Sequence, residues 1–384
     1  MKKKVLIVIP SFSIGGTTSS LKALLSFMDK EEFDVDVFGR IARGPLKETL
    51  PNCKILGDNT WLSLKIVDGG LIKRICNFFL QNTRRLVRRI GLNLEPFYSR
   101  VGGKQLRTED YDVVVSYQED LTPIVCYYPA KRRVAWIHCE YSRFVSKQSR
   151  AKELDCLTRF DKIVCVSEFT KRSFCSFYPE LEEKVTVVYN CLDVEHIREQ
   201  AQSKELDDAF DHSGFTIVSA GRLDPVKQFE RIPDIVANVL KEMPDAKLKW
   251  YIIGGGSESV KREILRRVAE KNLQDYVFIL PFKNNVYPYI AASNLFVHTS
   301  SSETFSLVVN EAKAVGKPVL VNNYGCASEF VKDGVEGWIV PNAEMHHKIV
   351  ELLSHPEELA LVESYLRENQ YDNHSIVELV KIVL

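Results

Sequence analysis

Four charged residues in the C-terminal half have the types and spacing to do chemistry. Glu303 and Glu311 stand eight positions apart in the stretch from Ser300 to Pro318. An apolar run, Leu295–His298, precedes them and predicts a strand. A helix is expected from near Phe305 to Gly316, ahead of Pro318. The backbone N–H groups of Thr304, Phe305, Ser306 and Leu307 would then lie at a helix N-terminus. There they lack intrahelical acceptors and attract a phosphate. Glu311 would sit about two turns further on, roughly 12 Å at 1.5 Å per residue. That separation suits two ends of one elongated ligand; a helix-terminal acid plus a solvated glutamate is the alternative. Arg222 and Lys227 follow the apolar run Thr216–Ala220 in the turn Gly221-Arg222-Leu223-Asp224-Pro225-Val226-Lys227. A guanidinium fork and an ammonium point charge brought to one anion suit a diphosphate; the alternative is a solvated turn.

The elements that must hold these residues alternate between short apolar runs and amphipathic segments. Strands are expected at Val5–Ile9, Asp34–Phe38, Val113–Ser116, Val134–His138, Ile163–Val166 and Val185–Val188. A second series covers Thr216–Ala220, Leu248–Ile253, Val277–Leu280, Leu295–Thr299 and Pro318–Val321. Continuous apolar strands between helices indicate parallel sheets covered on both faces. The fold class is therefore α/β, with two doubly wound halves whose ligands bind at the carboxyl ends of the strands. The expected division is 1–190, a polar linker 191–213, 214–370, and a final helix 371–384 that crosses back to the first half. Gly15-Gly16 follows the first strand and opens a helix, where glycines let a phosphate approach the backbone. Gly254-Gly255-Gly256 lacks the spacing of a nicotinamide site and makes room for a neighbouring loop or ligand.

Composition narrows the function classes. The 384 residues exceed one ordinary core, and 51 basic residues balance 51 acidic ones, which argues against a dedicated nucleic-acid binder. The nine cysteines form no C-x-x-C pair and suit a reducing cytosol. The apolar run after Lys2-Lys3-Lys4 is too short for a signal peptide. One segment breaks the charge balance: Leu71 to Arg107 holds nine Lys or Arg residues and one acid, Glu95. Ile72, Ile75, Phe79, Leu86 and Ile90 recur there near helical spacing, among Lys73, Arg84, Arg85, Arg88 and Arg89. Such a helix suits an anionic membrane surface; its alternative is a core helix with a solvated basic face. Asp34-Val35-Asp36 and Asp110-Tyr111-Asp112 spell D-x-D, but each leads into or lies in a strand. No metal is expected, since Arg222, Lys227 and a helix N-terminus can neutralise a leaving diphosphate.

Together, Gly221-Arg222 with Lys227, Glu303 with Glu311, and Gly316-Lys317-Pro318-Val319 resemble the retaining GT-B glycosyltransferases of family four. Gly15-Gly16, Val164-Cys165-Val166-Ser167, Tyr189-Asn190 and Asp333-Gly334 with Gly337 match the same pattern. The resemblance implies two Rossmann-like domains facing across a cleft and metal-independent hexose transfer from a nucleotide-sugar, a UDP-sugar, to a saccharide or lipid-linked acceptor. It implies that Arg222 and Lys227 hold the diphosphate, Glu311 the ribose, and Glu303 the region of the donor sugar. Thr304, Phe305, Ser306 and Leu307 would cap the phosphate, Gly15 and Gly16 would approach from the other domain, and His138 would contact the sugar. Where the family commonly has Glu-Gly-Phe-Gly, this chain has Glu303-Thr304-Phe305-Ser306, which adds two side chains beside the sugar and phosphate. The expected setting is surface polysaccharide or glycoconjugate synthesis, in the cytoplasm or on the inner face of its membrane. The alternatives are a non-catalytic nucleotide-sugar-binding or partner subunit and a sugar epimerase or phosphorylase of the same fold.

Overall fold

The computed structural model describes the chain except for residues 1, 90–91, 145–149, 204–205 and 370 and the side chains of 88 and 144. Two compact units result: Met1–Cys191 together with Asn373–Leu384, and Leu192–Asp372.

Each unit is built on a parallel sheet. Among the described residues the first has β1 (Lys3–Ser11), β2 (Phe33–Ile41), β3 (Lys54–Ile55), β4 (Val113–Ser116), β5 (Arg133–Ile137), β6 (Lys162–Cys165) and β7 (Val185–Val187). Their order is β3-β2-β1-β4-β5-β6-β7. The second has β8 (Phe215–Ala220), β9 (Leu248–Ile253), β10 (Val277–Leu280), β11 (Leu295–His298), β12 (Val319–Val321) and β13 (Gly337–Ile339), in the order β10-β9-β8-β11-β12-β13. Val5 to Ile9 are buried without a break, as a strand covered on both faces requires. In each sheet the winding reverses beside its first strand, between β1 and β4 and between β8 and β11. Connections leave in opposite directions there, so the loops after those strands border a crevice at their carboxyl ends.

Helix boundaries follow local chemistry. The Ser257 side chain accepts the Val260 N–H to open Glu258–Glu270, and Ser167 accepts the Thr170 N–H to open Glu168–Phe177. Each such cap contributes about 1 kcal/mol. The segment 191–213, expected to link the halves, instead contains a helix, Val194–Ala201, capped by Asp193. It belongs to the second unit: Val194 and Ile197 pack with Ala314, and Arg198 Nε donates to the Ala314 carbonyl at 2.9 Å. The helix Asn373–Val383 counts with the first unit, burying Ile376, Val380 and Val383 and pairing Lys381 with Glu32 at 3.1 Å.

The basic segment forms two helices, Leu71–Arg89 and Glu95–Leu106. The apolar stripe of the first faces outward: Leu71 is 74% exposed, Ile72 78% and Phe79 64%, with Ile75, Phe78 and Leu86 also exposed. A core-packing role is thus excluded for these residues. Ile90 and the Arg88 side chain lie outside the described residues. Arg84 departs from the expected basic face; it is buried, stacks 4.2 Å from the Tyr98 ring centroid and donates to the Trp61 carbonyl. The two D-x-D pairs are used structurally. Asp36 accepts the Tyr111 hydroxyl, and Asp112 accepts the Lys4 N–H and the Lys131 ammonium, both at 2.9 Å. Among the described residues no helix is long and apolar enough to cross a membrane.

Candidate active site

The loops after β8 and β11 are tied together by backbone and side-chain bonds. Thr299 Oγ1 donates to the Lys227 carbonyl at 2.7 Å, and the Ser301 N–H donates to the Val226 carbonyl at 2.8 Å. Ser300 Oγ adds a third bond, to the Val226 carbonyl at 3.1 Å. Thr299 and the two serines after it therefore fix the Val226–Lys227 backbone. From the other side, β9 ends in Gly254-Gly255-Gly256. A Cβ on Gly254 would stand 1.9 Å from the Gly221 carbonyl oxygen, so this glycine makes room for a neighbouring loop. The Leu223 N–H donates to Gly255 and the Ser257 N–H to Leu223, both at 2.8 Å.

On this frame Lys227 Nζ meets Glu303 Oε1 at 2.6 Å, with both side chains largely buried. His298 Nε2 meets the same oxygen at 2.8 Å. His298 is the last residue of β11 and is fully buried; burial holds its pKa down against the opposing pull of Glu303. Its Nε2 shares a hydrogen bond with that carboxylate oxygen, while among the described residues its Nδ1 has no hydrogen-bond partner. Burial pushes the Glu303 carboxyl up, but the hydrogen bond and charge interaction with His298, followed by the charge and hydrogen bond of Lys227, outweigh it and hold the pKa at about 2. The Arg222 side chain is 74% exposed and pairs with Asp224 at 3.2 Å.

The helix after Glu303 begins later than the sequence indicates, at Leu307 instead of near Phe305, and ends at Ala314. Ser306 adopts a left-handed conformation, φ 58°, which a helical residue cannot have. Asn310 holds this turn by donating to the Phe305 and Ser306 carbonyls, both at 3.3 Å. Thr304 and Phe305 thus belong to the loop, and Leu307 and Val308 are the first two helical amides. Glu311 lies little more than one turn inside the helix. It is half-buried beside the Tyr287 hydroxyl; burial, only partly offset by that hydroxyl, raises its carboxyl pKa to about 7.

In the first unit the corresponding crossover holds a buried polar cluster. Tyr117, just after β4, places its hydroxyl 3.0 Å from Ser20 Oγ and its ring 5.1 Å from the His138 ring. The His138 backbone N–H donates to Glu119 Oε2 at 3.0 Å. Burial lowers the His138 pKa to about 3, so the ring is neutral, and raises that of Glu119. Gly15 and Gly16 are exposed at the start of the helix Gly16–Phe27. A separate cavity of about 300 Å³ opens beside the start of β5, lined by Arg100, Lys104, Arg133 and Arg159. Sequence reasoning missed Glu119, Tyr117 and Tyr287, which depend on neighbours distant along the chain, and His298, whose partner Glu303 is five residues away. For His298 alone a signal existed, a polar residue closing an apolar strand five positions before Glu303.

Two sheets of this order, with the charged loops at the crossover of the second, define the two-domain architecture of nucleotide-sugar glycosyltransferases. The chain belongs to glycosyltransferase family four of the GT-B class. Its residues 14–196 match the model "Glycosyltransferase Family 4" and residues 202–369 match "Glycosyl transferases group 1". It is 32% identical over 160 residues to N-acetylgalactosamine-N,N'-diacetylbacillosaminyl-diphospho-undecaprenol 4-alpha-N-acetylgalactosaminyltransferase of Campylobacter jejuni, covering 41% of this chain and 40% of that protein. It is 30% identical over 165 residues to poly(ribitol-phosphate) alpha-N-acetylglucosaminyltransferase of Staphylococcus aureus, covering 41% of this chain and 32% of that protein. These matches span less than half the length of either relative. The crystal structure of Anabaena HepE with UDP and glucose superposes with a TM-score of 0.74 at 18% identity, covering 99% of this chain and 98% of that one.

Proposed function

We propose that this chain transfers a hexose from a UDP-sugar to a saccharide acceptor carried on a lipid, with retention of configuration and without a metal ion, in surface polysaccharide or glycoconjugate synthesis. The observation that carries the reading is the Lys227–Glu303–His298 cluster at the β8/β11 crossover, with Glu311 one turn into the following helix. The named activities of the two relatives and the UDP in HepE support the donor and acceptor classes.

In this reading Lys227 and the exposed Arg222 fork grip the diphosphate, and the first amides of the helix at Leu307 and Val308 add the positive end of its dipole. The Glu311 carboxylate accepts the ribose hydroxyls. Glu303, ionised and held by His298, faces the sugar once Lys227 is shared with phosphate. The sugar C1–oxygen bond breaks with its electron pair going to the diphosphate. The acceptor oxygen bonds C1 on the same face, and its proton passes to the leaving phosphate oxygen. Fixed positive charge at that oxygen lowers the barrier because it is already oriented when charge develops there.

The acceptor side rests on the helix Leu71–Arg89, whose exposed Leu71, Ile72, Phe78 and Phe79 stand among Lys and Arg residues with no acid in the helix. That combination fits an anionic lipid surface carrying a lipid-linked acceptor. The test begins with a thermal-shift screen of nucleoside diphosphates and their sugars. UDP and one UDP-sugar are expected to raise the melting temperature, because both bind only the folded chain. Turnover with that donor is expected to persist in excess chelator. Absence of any nucleotide-dependent shift would overturn the donor assignment, and turnover abolished by chelator would overturn the metal-free chemistry.

A further inference from the structure

We propose that Glu242, His346 and His347 form a binding site for one divalent transition-metal ion, with zinc the best match, which clips the end of the helix Ile232–Glu242 to the start of the helix Met345–Ser354. Among the described residues no other three His, Cys, Asp or Glu groups bring their ligand atoms within 4.8 Å of one another. His346 Nε2 lies 3.4 Å and His347 Nδ1 3.1 Å from the same oxygen, Glu242 Oε1. Tetrahedral zinc with bonds of 2.0–2.1 Å has ligand–ligand edges of about 3.3 Å, so two of the three edges already have that length. Adjacent helical residues ordinarily diverge. These two converge because one uses its far nitrogen and the other its near one, with the rings 3.9 Å apart between centroids.

Glu242 supplies the negative charge at this point, against the positive end of the helix that carries the two histidines. Glu242 is the last residue of its helix, where the carboxylate adds to the negative end of the dipole. The donor set, two imidazoles and a carboxylate, is one that zinc, cobalt(II) and nickel(II) accept, and it leaves a fourth position for water. His347 and Glu242 are exposed, so an ion enters from solvent and both residues can be replaced without disturbing the core. The site lies outside the proposed transfer chemistry and does not depend on it.

The test uses the full chain without a histidine tag, stripped of metal and titrated with zinc or cobalt(II) chloride. One saturable equivalent is expected at micromolar metal, with a rise in melting temperature. H347A and E242Q are each expected to weaken uptake about tenfold or more, comparable with the loss of a supporting ligand contact, and to remove the rise. Cobalt(II) separates this site from the nine free thiols, because thiolate ligation brings a near-ultraviolet charge-transfer band that imidazole and carboxylate ligation lacks. No saturable uptake, uptake unchanged in both variants, or a thiolate band accompanying the bound equivalent would each overturn the proposal.

Discussion

Replacing Glu311 by glutamine tests the nucleotide end of the site through its dependence on pH. The carboxyl is raised from 4.5 to about 7 by burial. At 1.36 kcal/mol per unit, that rise corresponds to ~3 kcal/mol of difference between its two protonation states. The sign follows from linkage. Below pH 4.5 the residue is protonated folded and unfolded, and Glu311 and a glutamine are equivalent. Between 4.5 and 7 the unfolded chain gives up the proton more readily, so the stabilisation present at low pH is lost as pH rises. Above 7 the whole penalty of a buried carboxylate is present. Glu311→Gln removes it, so the variant is expected to melt several degrees higher than the parent at pH 8.5 and at the same temperature near pH 4.5. UDP reverses the ranking if the carboxylate accepts the ribose hydroxyls. The parent is then stabilised more than the variant at pH 8.5, and its UDP affinity rises towards pH 7 and above. Differential scanning calorimetry at four pH values, with and without UDP, reads both effects. A variant no more stable at pH 8.5 refutes the burial argument, and equal UDP stabilisation of parent and variant refutes the ribose contact.

Lys227→Ala and Arg222→Ala are expected to separate folding from binding. Each removes a charge-assisted contact worth ~1.5–3 kcal/mol to bound diphosphate, but only Lys227→Ala leaves buried Glu303 without its counter-charge and lowers the melting temperature. Equal melting temperatures for the two variants would count against the ion pair. Glu303→Ala is expected to lower sugar transfer while leaving UDP affinity nearly unchanged, as calorimetry with UDP and with the full donor will show; loss of UDP affinity as large as that of Glu311→Ala would contradict this division of roles. Phe78→Ser with Phe79→Ser is expected to abolish the salt-resistant part of co-sedimentation with anionic vesicles, since each buried phenylalanine contributes ~1.5–3 kcal/mol. The salt-sensitive part, about 1 kcal/mol per Lys or Arg, should persist, and negligible parental binding to anionic vesicles at low salt would refute docking.

The two sheets were legible in the sequence because parallel strands buried on both faces leave continuous apolar runs, as in Val5–Ile9 and Leu295–His298. The positions of the charged residues at the second crossover were legible too, since Arg222, Lys227 and Glu303 stand in the turns after such runs and Glu311 in the helix that follows. Their pairing was not. Nothing local tells that Lys227 binds Glu303 across 76 residues or that Arg222 turns to Asp224. The late helix start at Leu307 depends on Asn310 holding the carbonyls of Phe305 and Ser306, a bond that competes with helix geometry and leaves no periodic signal. Segment 191–213 reads as a linker by its polarity, yet two buried positions, Val194 and Ile197, suffice to dock its helix.

The assignment of Asn373–Val383 to the first unit bears on the order in which the chain becomes structured. Residues 192–372 form a contiguous stretch whose contacts close within themselves, so that unit is complete as soon as it has left the ribosome. The first unit, although synthesised earlier, receives its last helix only after residues 192–372 have been made, and the pair Lys381–Glu32 joins positions 349 apart. Closing so long a loop is slow relative to local pairing. The half carrying the exposed apolar helix is therefore the one that spends longest unfinished, which makes it the part of the nascent chain most exposed to aggregation and to chaperones.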